Sequence, residues 1–482
     1  MKRWRLLVVA VIIGGLVSCT KDDPILKPQL PMHTMVAGST LINEGAISLG
    51  SVETDNVFDM YSTILTPEGR VEEHTLNSCA LLAATVVDGV QDPDSPVKNA
   101  TLINKGTITI HTHDLVEKYK DQIQTPDHPE RKFKYLRLIG LFAGENGTVI
   151  NDGVINVYFD HDPAVTSTIY AMGLVASDGA TIINNGEINF YGTGTLQTRM
   201  RGVATFGDRI AVENHGLISA DVAISDDSRA ITTGGTDSSV YNDGIIRLRL
   251  SGTVPCVTRY GNNQITNAGT IEITSTSYPA EYIASTAGTT KLICALYEPL
   301  SPGRIGIPPM INRGTIKITI DDTAPADPER AAFGMLMDLQ SAQASQLNVN
   351  IINKGSIVVN NPGNYEMAEA SFRAKPASAN GACKITMGTW KTRLRDFSTT
   401  HDLFQATGVN MDFSEGVLML EADKDYAYGT SYSIAPEDIM YDYGQGAYYY
   451  KYAGYETMSV VAADPNFTLM WDKENKTASL YR

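Results

Sequence analysis

Nine times along this chain the same short phrase returns: an apolar residue, a variable one, Asn, a variable one, Gly, a variable one, Ile. The turn asparagines are Asn43, Asn104, Asn151, Asn184, Asn214, Asn242, Asn267, Asn312 and Asn353, spaced 25 to 61 residues apart. Gly follows each by two positions and Ile by four, from Ile47 to Ile357, without exception. Apolar residues alternating before Asn and after Gly predict two short strands with one face buried, and no helical period competes with them. Asn-x-Gly predicts a bend between them, with Gly expected to take a positive φ. An Asn at the same place in every turn of a coil can stack, each amide bonding the next.

A second column gives the third strand. Gly140, Gly173, Gly202, Ala230 and Cys256 begin an apolar stretch 11 or 12 residues before their Asn. Cys79, Cys294 and Gly334 take the same place with longer gaps, and Cys383 opens a degenerate further turn. Three strands per repeat predict an all-β, right-handed parallel β-helix of about nine to ten turns over residues 36–390. The repeat resembles the Asn-x-Gly-x-Ile turns of bacterial filamentous adhesins and autotransporter passengers, and the fold resembles that of pectate lyases. That resemblance speaks for architecture, not activity. Apart from Cys19 the cysteines read as small core residues. Cys256 and Cys294, expected on neighbouring turns, are the pair within reach of a disulfide.

The first residues read as an address. Met1-Lys-Arg-Trp-Arg5 is followed by an apolar run from Leu6 to Val17, too short to span a bilayer and typical of a signal peptide over residues 1–18. Leu16-Val17-Ser18-Cys19 resembles the lipobox of bacterial lipoproteins, which implies cleavage before Cys19 and its acylation. Thr20-Lys21-Asp22-Asp23 resembles the surface-export tag of Bacteroidota lipoproteins. The resemblance implies an outer-membrane protein held by lipid on acylated Cys19 and facing outward. Residues 19–35, with Pro24, Pro28 and Pro31, read as an extended tether.

Most extra length leaves the coil after the strand that follows Gly, a common arrangement for a binding face. Two of these exits carry chemistry: His111-Thr112-His113-Asp114 and Asp160-His161-Asp162, at similar offsets from Asn104 and Asn151. His111, His113, Asp114, Asp160, His161 and Asp162 are therefore expected to converge. They are candidate ligands for a divalent metal or candidate acid–base groups acting on a sugar. The competing reading is solvated loop ends, with no cofactor. Asp226-Asp227 and Asp321-Asp322 resemble the adjacent aspartates of β-helix polysaccharide hydrolases, but the Gly-His-Gly and Arg-Ile-Lys elements of that family are missing. Walker loops, GxSxG elbows and HExxH pairs are absent from the sequence.

From about residue 391 the repeat gives way. Ten of the 23 tyrosines fall between Tyr426 and Tyr455, and Phe467 to Tyr481 reads as a hairpin, so 391–482 is expected to be a Tyr-rich β cap. Exposed tyrosines there could stack on sugar rings. With 54 acidic against 38 basic residues the chain carries −16, which excludes nucleic acid as a main partner. The sequence favours adhesion, or binding and display of polysaccharide or host glycan. A polysaccharide-degrading lyase or glycoside hydrolase and a structural surface coat are the alternatives.

Overall fold

In the computed structural model the described residues are 38–49, 56–66, 69–87, 90–96, 98–261, 263–276, 291–300, 308–321, 330–339, 350–360, 366–374, 384–386, 389–394, 405–406, 410–412, 414, 416–422, 427–433, 440–442, 447–449, 452–453, 457–475 and 477–482. Cys19, the tether and Cys383 lie outside them. The chain divides into two compact units, one running to Ser239 and including Gly244–Thr253, the other made of Val240–Asp243 and Val254–Arg482. Each is a right-handed parallel β-helix built from three sheets.

In the first unit the strands Thr40–Asn43, Thr101–Asn104, Thr148–Asn151, Thr181–Asn184 and Ala211–Asn214 pair in parallel, Asn opposite Asn. Ala46–Leu49, Thr107–His111, Val154–Phe159, Glu187–Gly192, Leu217–Val222 and Ile245–Leu250 form the second sheet with Ile opposite Ile. Gly69–Leu82, Phe133–Ala143, Thr168–Ser177, Thr198–Phe206 and Arg229–Thr233 form the third. An antiparallel partner, Asn56–Thr66, lies along its first strand. Ile108, Ile155, Ile188, Ile218 and Ile246 are wholly buried, each contributing roughly 1.5–3 kcal/mol.

The asparagine amides form a continuous ladder inside each unit. Nδ2 of Asn43, Asn104, Asn151 and Asn184 donates to Oδ1 of the next Asn at 2.8, 2.8, 2.8 and 2.7 Å. In the second unit Asn242, Asn267 and Asn312 donate onward at 2.7, 2.8 and 2.8 Å, ending on Asn353. The turn glycines depart from expectation, since Gly106, Gly153, Gly186, Gly216 and Gly244 all have ordinary negative-side backbones. Their requirement is space: a Cβ on Gly153 would collide with the carbonyl of Gly106, and one on Gly186 with that of Gly153. Left-handed backbone occurs instead five residues before the turn Asn, at Gly38, Asn99, Asn146, Gly179, Arg209 and Asp237, where φ runs from 54° to 79°.

The small column is real but two cysteines stand one residue off it. Cys79 lies opposite Ile139, and Cys294 opposite Pro255 and Phe333, which leaves Ala80 and Ala295 in the small places. A shift of one residue turns a side chain to the other face of its strand. Cys256 and Cys294 therefore point to opposite faces, and both are buried without a disulfide, so the expected bridge is not made.

At the small column the third sheet bends. Arg137 pairs with Tyr170 and Ser177 with Phe206, seven residues on, about 23 Å along an extended strand. Yet the Arg137 guanidinium lies 5.7 Å from the centre of the Phe206 ring. The outer face is thus concave, and Cys79, Leu82, Ile139, Met172, Val175 and Ala204 close the fold of the bend as a buried cluster.

In the second unit the Asn sheet runs Gln264–Asn267, Met310–Asn312, Asn350–Asn353 and then on through Lys384–Thr386, Asn410–Asp412 and Tyr452–Ala453. Thr389–Leu394, Val417–Ala422 and Ser459–Ala462 also pair in parallel. Coiling therefore continues past residue 391 without the Asn-x-Gly signature. The hairpin Thr468–Asp472/Thr477–Tyr481 is antiparallel and takes Tyr432–Ser433 as a third strand. On the third sheet here Arg259 and Glu298 form an ion pair at zero exposure.

Candidate functional site

The His/Asp corner is assembled by strand register. His111 ends its strand opposite Tyr158, and Asp160 follows two residues later on that coil. His111 Nδ1 meets Asp160 Oδ2 at 2.7 Å. Asp160 Oδ1 accepts the backbone N–H of His113 at 2.9 Å and the Thr112 hydroxyl at 3.2 Å. Thr112 Oγ1 accepts the Asp160 N–H at 3.0 Å and lies 2.9 Å from His161 Nδ1. Instead of a polar loop, Thr112–Lys118 is a helix that buries Leu115 and Val116. Burial alone would raise the Asp160 carboxyl, but the bonds from His111, His113 and Thr112 hold it below the usual range. Burial pushes the His161 imidazole down to about 4 despite Asp160 and Asp162 nearby, so it is neutral at physiological pH.

The six candidates do not all meet. His113 brings only its backbone N–H, and Asp162 closes a local turn by accepting the Ala164 N–H at 2.8 Å. His161 turns inward, 7% exposed, its Nε2 without a hydrogen-bond partner. Asp114 sits in the first turn of the helix rather than in this network. Among the described residues no group of three or more His, Cys, Asp or Glu is arranged to hold a metal ion. Both Asp160 oxygens are already engaged, by His111, the Thr112 hydroxyl and the His113 N–H. What the corner does present is one oriented imidazole, His111, stacked on Tyr158 at 4.8 Å and 10°.

The aspartate pair flagged in the sequence is neutralised. Asp227, at φ 48°, bonds Arg201 Nη2 at 2.7 Å and Arg229 Nη2 at 2.6 Å, and Asp226 pairs with Arg199 at 3.2 Å. Burial would raise the Asp227 carboxyl, but Arg201 and Arg229 together hold it below the usual range. Two fixed carboxylates clamped by three arginines are poor proton donors. Asp321 continues a strand, donating its N–H to Ser275 O at 3.0 Å, and Asp322 lies outside the described residues.

Sequence reasoning missed the surface these arginines belong to, the outer face of the bent third sheet. Register sets Asn77, Arg137, Tyr170 and Arg199 in one column and Ile139, Met172, Arg201 and Arg229 in the next. Phe206, 46% exposed, stands across the bend from Arg137. Alternate Arg and Tyr in the third strand of successive repeats was the available signal. A second concavity of about 560 Å3 runs beside the turn glycines, rimmed by Lys105, Asp152, Asn185 and Glu187.

Sugar stacking finds little support in two other places. His111, Tyr158 and Tyr191 stack on one another (the second pair at 5.5 Å and 28°), so their ring faces are largely used. Tyr428 stacks on Phe467 at 5.6 Å under the Arg482 guanidinium. Tyr426, Tyr443, Tyr450 and Tyr455 lie outside the described residues.

Over residues 32–187 the chain is similar to a family described as the BigA third pectate lyase-like domain. That stretch holds the first four Asn turns of the first unit. No curated protein and no solved structure matches the chain.

Proposed function

We propose that this chain is a lipid-anchored, cell-surface β-helix that binds polysaccharide on the concave outer face of its third sheet, for adhesion or glycan display. The observation that carries the binding site is Phe206: a phenyl ring 46% exposed, at the mouth of a concave face, beside Arg137 and within the same sheet as Tyr170. An exposed aromatic flanked by fixed polar groups suits the apolar face and hydroxyls of a pyranose. Binding rather than cleavage is favoured because Asp160, Asp162, Asp226 and Asp227 are already held by arginine, histidine or backbone N–H groups. Similarity to a domain of BigA described as pectate lyase-like supports the solenoid and is silent on substrate.

Anchorage rests on Leu16-Val17-Ser18-Cys19 and the acidic residues behind it. Each acyl methylene buried in a bilayer contributes roughly 0.8 kcal/mol, so several chains on Cys19 hold the protein without a spanning segment. Cys19→Ala is expected to move the protein out of the membrane fraction, and protease treatment of intact cells to remove the anchored form. Persistence of the variant in the membrane would remove the anchor.

A second reading, a polysaccharide-degrading enzyme, is favoured by one observation, the carboxylate-oriented imidazole of His111. One experiment separates the two. The full chain is presented with neutral and acidic polysaccharides while retention, new reducing ends and 235 nm absorbance are followed over hours. Retention without product is expected. Product release abolished in Asp160→Asn would make the His111 corner an active site, and absence of both retention and product would remove both readings.

A further inference from the structure

On the outer face of the bent third sheet four arginines, Arg137, Arg199, Arg201 and Arg229, face two carboxylates, Asp226 and Asp227. The carboxylates bond to Arg199, Arg201 and Arg229 at 2.6 to 3.2 Å. Arg137 is left over: among the described residues no carboxylate lies within ion-pair distance of it. Its Nε is buried without a hydrogen-bond partner. Its surroundings are aromatic, with the Phe206 ring centre at 5.7 Å and the tilted pair Tyr135–Tyr170, 6.4 Å apart, in its own and the neighbouring strand. Burial pulls the guanidinium below its usual basicity, with Tyr170 and Tyr135 acting against that shift. A half-buried guanidinium with no carboxylate partner is costly to hold, and an anion arriving at its accessible edge offsets that cost by charge-assisted hydrogen bonding.

We infer that Arg137 and Phe206 form an anion subsite for an acidic polysaccharide, Arg137 pairing with a carboxylate or sulfate while Phe206 lies against the sugar's apolar face. This rests on the glycan-binding reading above and narrows it to charged chains. The protein as a whole is acidic, at −16, so a polyanion is not drawn here by the general field. Local geometry has to supply the attraction, which makes the subsite selective for an anion carried next to a ring.

The test uses the full chain in detergent micelles, immobilised, with hyaluronate (carboxylate), dextran sulfate (sulfate), dextran (neutral) and polyglutamate (an anion without sugar). Hyaluronate or dextran sulfate is expected to be retained over dextran and polyglutamate, and which of the two is retained identifies the anionic group. Arg137→Gln and Phe206→Ala are each expected to weaken retention about tenfold, or 1.4 kcal/mol. Arg249→Gln, at an exposed ion pair elsewhere in the unit, is expected to leave it unchanged. If Arg137→Gln lowers the melting temperature, Phe206→Ala, at an exposed ring, carries the comparison alone. Equal retention of dextran, with both variants behaving as wild type, would overturn the subsite and leave glycan binding in place. Equal retention of polyglutamate would reduce the effect to bulk charge and also overturn it. No retention of any polysaccharide would remove the glycan-binding reading itself.

Discussion

Asn184 shows how completely one side chain can be committed to a coil. Its Oδ1 accepts from Asn151 at 2.8 Å, its Nδ2 donates to Asn214 Oδ1 at 2.7 Å and to Leu217 O at 3.3 Å, and it is wholly buried. Its carbonyl also takes the N–H groups of His215 and Gly216, at 2.8 and 2.9 Å. Alanine here would strand an acceptor on one neighbour and a donor on the other. Asn184→Ala is expected to cost about 1–3 kcal/mol, read as a lower urea midpoint. An unchanged midpoint would mean that the ladder orders the turn without stabilising it. Asn184→Asp is expected to cost more, because a carboxylate supplies no hydrogen to Asn214 and is buried as a charge.

At the scale of elements, the three strands of each repeat were legible because their columns recur in register: Asn, Ile and a small residue. The reason for the turn glycines was misread, since close packing of successive carbonyls and a positive φ ask for the same residue. The left-handed column before each Asn strand was also present in the sequence, as Gly38, Asn99, Asn146, Gly179 and Asp237, but Arg209 broke its pattern. The bend of the third sheet was not legible, because it depends on contacts between residues seven apart on different coils. Similar offsets from the turn Asn, seven residues and nine, did bring His111 and Asp160 together. They did not reveal the helix Thr112–Lys118, which is held by burial of Leu115 and Val116 rather than by an amphipathic stripe long enough to recognise.

The first residue of that helix, Thr112, lies against His161, and its seating should depend on pH. The His161 imidazole titrates near 4 in the folded chain and near 6.5 when unfolded, with Asp160 and Asp162 favouring its cation, and burial and His113 opposing it. Above pH 6.5 both states are neutral and the group contributes nothing. Between 6.5 and 4 only the unfolded chain takes up the proton, so stability falls with pH, and below 4 the loss is complete at about 3 kcal/mol. Asp160 and Asp227, held below the usual carboxylate range, lose their contribution at the bottom of this window or beneath it. The urea midpoint is therefore expected to drop between pH 7.5 and 4.5, and His161→Gln to remove most of that drop. An equal drop in His161→Gln would assign the pH dependence to other groups.

Within each unit, a coil touches chiefly the coil before and after it, so damage should spread along that stack and fade. Gly186 offers a clean probe: a Cβ there would strike the Gly153 carbonyl of the preceding coil, while Gly216 on the next coil packs just as closely against Gly186 itself. Gly186→Ala must push neighbouring turns apart by a few tenths of an ångström or more, at a cost of about 1–3 kcal/mol. Amide exchange in Thr148–Asn151, Thr181–Asn184 and Ala211–Asn214 is expected to speed up roughly 5- to 150-fold, the factor corresponding to that energy. In the second unit, Gln264–Asn267 and Thr315–Ile320 should keep their protection. A uniform loss of protection across both sets would show that the two units open as one cooperative body, and the nearest-neighbour description of the solenoid would then fail.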